Sequence, residues 1–463
     1  MNKSRVFSVV VAGFWFALEA KAAPILLAAG TLVGSGADLS QSTAGALENG
    51  LAGNLLGGLG SGLAWAGGNT FIATPDRGPN ATPWNSAVDD TTSYIARFQT
   101  LQLGLVKNNS GSGLGWSLAP VLTATTLMYS GTPLVYAAVG APALNGNNRN
   151  YFSGRSDNFD ASTSSTNPSN GRLDPEAVRV SNDGKTIFVS DEYGPYVYQF
   201  DRATGERLRA YALPGNLAIA NLSASGDAEI SGNTTGRVAN KGMEGLAITP
   251  DGKTLVGIMQ APLKQDNAKN LRIVTIDIAT GETHEYAYLL TTGTGVSEIV
   301  ALNDHQFLVD ERDGKGYGDG SSAVIKQVFK IDLADAKDVT ALSGDLSRSA
   351  VKKALVLDAV ALLKASGLSA GQIPAKLEGL AFGADVINDG TLLHTLYVAN
   401  DNDFVSHIAG DNRFFVFGVS DADLAAVGAT YVAQQFTDLP EPSTVMLMLG
   451  SLVALTTMRR RRG

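Results

Sequence analysis

Apolar residues in the middle of the chain fall into short runs, paired across tight polar turns. Residues 176–192 (EAVRVSNDGKTIFVSDE) and 244–260 (EGLAITPDGKTLVGIMQ) share one pattern: a short apolar strand, an Asp-Gly-Lys turn and a second apolar strand. Asp-Gly between two such runs is a strong hairpin signal, because the turn needs residues that accept a positive φ. A looser copy spans 297–312 (SEIVALNDHQFLVDER). Another starts at Glu378 and returns as Leu396–Asn402, and an early one spans 61–78 (SGLAWAGGNTFIATPDRG). Third strands follow at Tyr196–Asp201 and Leu271–Ile278, each leading into an Ala-Thr-Gly turn, and at Arg413–Val419.

Successive hairpin-plus-strand units predict an all-β propeller of four-stranded blades around a central axis. Five copies are visible. Residues 93–140 supply a sixth, with strands expected over Tyr94–Gly104 and Pro133–Gly140, so six blades are expected. Two insertions interrupt the pattern. The Asn-, Ser- and Gly-rich stretch 145–170 predicts a mobile surface loop. Val351, Leu355, Val356, Val360 and Leu363 recur at roughly helical spacing and predict one helix over 347–368.

The two ends have their own patterns. Lys3 and Arg5 precede an apolar run from Val6 to Leu18 and an Ala20-Lys21-Ala22 cleavage site, the three parts of a secretory signal peptide over 1–22. Residues 23–435 form the body. At the other end, Pro440-Glu441-Pro442 leads into an apolar run, Ser443–Met458, and then Arg459–Arg462. That run is short for a permanent span of ~20 residues. In content, order and place, residues 440–463 resemble the PEP-CTERM sorting signal of Gram-negative bacteria. The resemblance implies transient insertion in the inner membrane, cleavage by an exosortase-type enzyme and delivery to the outer surface or extracellular matrix.

The 463 residues are 44% hydrophobic and 17% charged, ample for a folded core, and 52 glycines suit many tight turns. Without cysteine there is neither a disulfide framework nor a thiolate metal site. Removing both ends takes away seven basic and two acidic residues, moving the net charge from −9 to −14. Such a body disfavours nucleic acid as a partner and suits a cation.

Charge recurs at one blade position. Glu176, Glu244, Glu298 and Glu378 start the inner strands, where a propeller channel has its mouth. Asp76, Asp191, Glu192, Asp310, Glu311 and Asp401 lie at the ends of the opposing strands, with Arg77 and Arg312 beside them. Arg172, Lys241 and Lys376 precede three of the glutamates. Crowded carboxylates must protonate, pair with a base or bind a cation. Oxygen donors without cysteine point to a hard ion such as Ca²⁺, and the bases to an anion. The plainer expectation is that each Glu pairs with a neighbouring base and fastens two blades. Gly367-Leu-Ser369-Ala-Gly371 matches the nucleophile-elbow string but follows a predicted helix, not a strand, so it reads as chance. His284, His305, His394 and His407 show no metal-ligand spacing.

These blocks resemble the phytase-like family described as "esterase-like activity of phytase". Gly60–Leu63 with Asp76–Gly78, Asp174–Val178 with Ser190–Gly194, Lys241–Leu246, Leu377–Ala381 and Asn400–Asn402 carry the resemblance, which spans about residues 30–430. It implies a propeller acting on esters or phosphoesters. Alkaline propeller phytases hold phosphate with calcium in an acidic cleft. Asp174-Pro175 is similar to their Asp-Pro motif, although Glu176 stands where they have a small residue. Two functions are therefore expected to compete. One is a metal-dependent hydrolase, with Glu176, Glu244, Glu298 or Glu378 as base, the acidic strand ends as ligands and Arg77, Arg172, Lys241, Arg312 and Lys376 holding the anion. The other is a non-catalytic surface or matrix scaffold. Carboxylates converging on one open pocket favour the first, and dispersal into blade-to-blade pairs favours the second.

Overall fold

The computed structural model describes residues 23–437. The signal peptide and sorting tail expected at the two ends lie outside them. Five sheets form the blades of a β-propeller, their strands antiparallel except where Tyr129–Ser130 joins blade 2 in parallel. The inner strands are Gly62–Trp65, Pro175–Val180, Met243–Ile248, Gly295–Ala301 and Leu377–Phe382, in blades 1 to 5. Each inner strand contacts the next and the fifth contacts the first, so the ring is closed.

Local chemistry accounts for the hairpins. In blade 2, Gly184 has φ +69° and Asp183 Oδ1 accepts from the Lys185 amide at 3.0 Å; in blade 3, Gly252 has φ +73° and Asp251 does the same for Lys253 at 3.1 Å. The Ala-Thr-Gly turns are held alike, with Asp201 and Asp277 accepting from the Thr204 and Thr280 amides at 2.8 and 2.7 Å. Between blades, apolar side chains form separate packed layers. Val180, Ile187 and Phe200 meet Ala64 and Phe98, and Ile258, Ile273 and Tyr288 meet Ile299 and Val309. Burial of such area is the main source of stability.

The ring is sealed by the N-terminal strand. Ile25–Leu32 is the outermost strand of blade 5, antiparallel to Asn412–Val419. The start of the described chain thus joins its last blade.

Three expectations are corrected. There are five blades, not six. The Tyr94–Gly104 segment is the third strand of blade 1 (Arg97–Gln102), and Val121–Leu127 is its fourth. Pro133–Gly140 contains a short 3₁₀ turn, Ala137–Val139, instead of a strand. Tyr129–Ser130 and Asn150–Tyr151 extend blade 2 at its outer edge. The expected helix over 347–368 is a 3₁₀ turn (Ser347–Ser349), a strand (Lys353–Asp358) and a helix (Ala359–Ala365). Blade 4 needed a fourth strand, and pairing with Lys326–Asp332 overrode the helical spacing. Asp358 then caps the helix by accepting from the Ala361 amide at 2.9 Å. Finally, 145–170 is not simply a surface loop: Phe152, Arg155, Asn158 and Ser165 are buried. Its polar residues bond inward, as in Asn158 Nδ2 to Ser153 Oγ at 2.7 Å.

The C-terminal segment of the described chain crosses the other end of the axis. Val432 donates to Leu302 O of blade 4 at 2.7 Å, Gln434 to Val180 O of blade 2 at 2.8 Å, and Phe436 packs edge-on against Trp65 of blade 1. Among the described residues no helix is long and apolar enough to cross a membrane.

Candidate functional site

The inner strands of blades 2 to 5 each carry a β-bulge near their start. Pairing skips Glu176-Ala177 in blade 2, Glu244 in blade 3 and Glu378-Gly379 in blade 5. A bulge releases a residue from the ladder and re-aims its side chain. These three glutamates line one polar cavity of about 230 Å³ with Asp76, Glu192, Asp401 and Asp403, and with the cations Arg77, Arg312 and Lys376.

Blade 4 differs by one residue. There the skipped position is Ser297, and Glu298 stays in the ladder opposite Asp310. Ser297 Oγ accepts from Arg312 Nε at the cavity wall. Glu298 is fully buried away from the cavity. Its Oε1 meets Arg179 at 2.9 Å and accepts from the Leu246 and Ile299 amides at 2.9 and 3.0 Å. Arg179 also donates to Leu63 O of blade 1 and Ile299 O of blade 4 at 2.7 and 2.9 Å. The pair therefore ties four blades together on the axis.

Seven carboxylates against three cations leave the cavity in negative excess. Burial pushes Glu176 well above the carboxylate range, reinforced by Glu244 and Asp174. Burial does the same to Glu244, helped by Glu192 and Glu378 against the pull of Arg312. Asp76 is raised by burial and by Asp401, and Glu192 is pushed up to about 7 by burial and Asp174. Asp401 moves the other way: burial opposes its charge, but Lys376, 2.9 Å away, outweighs it. These are the outcomes that crowding demands.

The cavity's cations are partly engaged. Arg77 Nη1 binds Asp174 Oδ2 at 2.8 Å, linking blades 1 and 2. Arg312 binds Glu378 across blades 4 and 5, with Glu244 at 3.7 Å. Gln260 donates to Glu244 at 2.6 Å, and Glu192 accepts from the Gly242 amide at 2.8 Å. Two groups of oxygens, Asp76 with Asp401 and Asp403, and Asp174 with Glu176 and Glu192, each converge within 4.8 Å. That donor chemistry fits a hard divalent ion.

Other expected residues lie elsewhere. Glu311 is clamped by Lys353 and Tyr288 between blades 3 and 4 and also accepts from the Gly293 amide at 3.0 Å. Asp191 accepts from the Asp174 and Tyr193 amides at 3.1 and 3.0 Å, holding a turn. Asp310 is buried but does not line the cavity. Arg172 lines a separate cleft, and Lys241 is exposed. Ser369 caps a short turn, while His284, His305 and His394 pair with Asp338, Asp332 and Asp385. Asp174, Asp403, Asn80, Asn240 and Gln260 went unnoticed as site residues. Asp403, two positions after Asp401, offered a signal in the doubled acid, as did Asp174 in the Asp-Pro string.

Residues 54–404 match the phytase-like family described as "Esterase-like activity of phytase", and the chain belongs to that family. It is 31% identical over 271 residues to an "Uncharacterized secreted protein" of Arthroderma benhamiae, covering 50% of this chain and 48% of that one. The chain thus spans about half the length of that curated relative. Among solved structures, a periplasmic gluconolactonase of Pseudomonas aeruginosa matches at 11% identity and TM-score 0.29, over 80% of this chain and 85% of that one. A PQQ-bound aldose sugar dehydrogenase of Streptomyces coelicolor matches at 11% and 0.30, over 76% of each.

Proposed function

We propose that this phytase-like propeller is an exported ester or phosphoester hydrolase that works with a hard divalent cation of the Ca²⁺ class. The observation that carries the reading is convergence: Glu176, Glu244, Glu378, Asp76, Glu192 and Asp401 meet Arg77, Arg312 and Lys376 in one cavity. When bound, the cation would offset the acidic excess and lower the pKa of a water. Asp76, Asp401 and Asp403, or Asp174, Glu176 and Glu192, would hold it. Glu176 and Glu244, each raised partly by neighbouring charge, behave as carboxyls of which one keeps its proton. The ionised one takes a proton from water as the water oxygen bonds to the ester centre. The protonated one gives its proton to the departing oxygen. Arg312 and Lys376 balance the charge that builds on the ester oxygens. Export rests on the signal-peptide pattern, and delivery to the outer surface by an exosortase-type enzyme on the Pro-Glu-Pro tail.

A scaffold role is the second reading. The Arg77–Asp174 and Arg312–Glu378 pairs, which fasten adjacent blades, favour it. Calorimetric titration of the chain with Ca²⁺ decides between them. Binding that weakens at least tenfold in Glu176→Gln and Glu378→Gln, together with Ca²⁺-dependent turnover in an ester and phosphoester screen, supports the hydrolase. No binding by the wild type sinks the cation mechanism and leaves the scaffold.

A further inference from the structure

Beside the acidic cavity lies a second, smaller cleft with the opposite chemistry. Arg77 and Asn240 line both, so the two share a wall. The far side of the cleft is made by Arg172, Arg237, Tyr193 and Glu229. Arg237 binds Glu229 at 2.6 Å, and Arg77 is held by Asp174. Two of the three guanidiniums are thereby matched by buried carboxylates.

Arg172 is not. It is 4% exposed, yet no carboxylate lies within ion-pair distance of it among the described residues. Only its Nη1 meets protein acceptors, the carbonyls of Ser156 at 2.9 Å and Ser223 at 3.5 Å. Phe159 and Tyr193 lie against the guanidinium, 4.3 and 5.0 Å from ring centroid to Cζ, and fix its plane. Burying a cation without an anion is costly. Asp89 at the rim does not repair this, because it is exposed and accepts from the Gly226 amide at 2.6 Å. A guanidinium fork held against two rings, with donors left open to the cleft, is the arrangement that binds oxyanions.

We infer that this cleft is an oxyanion subsite, in which Arg172, with Arg77 and Arg237, holds a phosphate or carboxylate group of a ligand whose other part reaches the acidic cavity. The inference deepens the hydrolase reading by naming the substrate class, an ester that carries a second anionic group. Two neighbouring compartments of opposite charge sort such a molecule: the excess carboxylates repel its anion from the main cavity, and Arg172 receives it.

The test is phosphate binding with EDTA present, so that its outcome does not depend on the cation mechanism. Inorganic phosphate, sulfate and acetate are titrated into the purified chain by calorimetry. Phosphate is expected to bind the wild type, at least tenfold more weakly to Arg172→Met and with intermediate affinity to Arg172→Lys, which keeps the charge but loses the fork. Lys253→Met, an exposed control outside both compartments, is expected to bind like the wild type. Sulfate alongside phosphate marks a tetrahedral oxyanion site, and acetate alone a carboxylate site; either supports the subsite. Near-ultraviolet circular dichroism checks that Arg172→Met is folded, and Arg172→Lys carries the comparison if it is not. The subsite is overturned if the wild type binds none of the three, if Arg172→Met and Arg172→Lys bind as the wild type does, or if Lys253→Met loses as much affinity as Arg172→Met.

Discussion

Glu244 of blade 3 and Glu298 of blade 4 each lead an apolar run, Glu-Gly-Leu-Ala-Ile and Glu-Ile-Val-Ala-Leu, and end in different environments. Glu244 sits in the bulge and faces the acidic cavity, where Gln260 and Arg312 are its neighbours. In blade 4 the bulge falls one residue earlier, so Glu298 is retained in the ladder and buried against Arg179. In a pleated strand a one-residue displacement re-aims the side chain. One glutamate therefore adds to a crowded, charge-rich site. The other completes a matched pair that closes the axis beneath it. Equivalence in a repeat is a statement about the chain, and the bulge decides what the side chain does.

Truncating either partner of the Arg179–Glu298 pair tests this contrast most severely. Arg179→Met leaves Glu298 buried without its cation, and Glu298→Ala leaves Arg179 without its anion, so each is expected to cost about 3–5 kcal/mol in chemical denaturation. Glu298→Gln keeps an acceptor for the Leu246 amide and is expected to cost less than Glu298→Ala. If Glu298→Gln instead lowers Ca²⁺ affinity as Glu176→Gln does, the division between axis and cavity fails.

Next in size is the reverse behaviour in the cavity. Glu244→Gln removes one of several mutually repelling carboxyls, so the denaturation midpoint is expected to stay level or rise, while Ca²⁺ binding weakens about tenfold, or about 1.4 kcal/mol. A Glu244→Gln variant that is destabilised but binds Ca²⁺ normally would assign Glu244 to the blade-fastening role.

The pH dependence follows from the same crowding. Glu192 and Asp310 are pushed up to about 7, both chiefly by burial. An unfolded carboxyl titrates near about 4, so the folded chain holds these protons more tightly. Their contribution to stability is complete below about pH 4 and is lost as the pH rises through about 7. Thermal melts with EDTA are therefore expected to show a lower midpoint at pH 8.5 than at pH 6. Ca²⁺ should restore part of the difference at pH 8.5, because a bound cation replaces the lost protons in the cavity. A midpoint that rises with pH over this window would mean that the carboxyls are already neutralised by their partners.

How much of this was legible in the sequence depends on which interactions were local. The hairpins at Asp183-Gly184 and Asp251-Gly252 are set by neighbours in the chain, and they and the all-β propeller were readable. The blade count was not, because Tyr94–Gly104 and Lys353–Asp358 are defined by the strand they pair with. Closure by Ile25–Leu32 joins residues nearly four hundred positions apart. In the candidate site, Glu176, Glu244, Glu378, Asp76, Glu192, Asp401, Arg77, Arg312 and Lys376 were named from their repeat positions and do meet. Glu298, Glu311 and Asp191 were named on the same grounds and do not, since bulge placement and cross-strand partners left no mark on the repeat.

Lys241 is the finest test, because the expected effect is nearly nothing. It precedes Glu244 as Arg172 precedes Glu176 and Lys376 precedes Glu378, and that position alone suggested an anion-binding base. Lys376 contacts Asp401 and Asp403, while Lys241 is exposed and lies outside the cavity. An exposed charge is screened by solvent and salt and contributes little. Lys241→Ala is expected to change stability by less than about 0.5 kcal/mol, within the range of ordinary surface substitutions. Ca²⁺ and phosphate affinities should stay within about threefold, under 1 kcal/mol on the same logarithmic scale. A larger drop in phosphate affinity would bring Lys241 into the oxyanion cleft after all, by a movement of the 239–242 turn, and would mean that sequence position had been the better guide there.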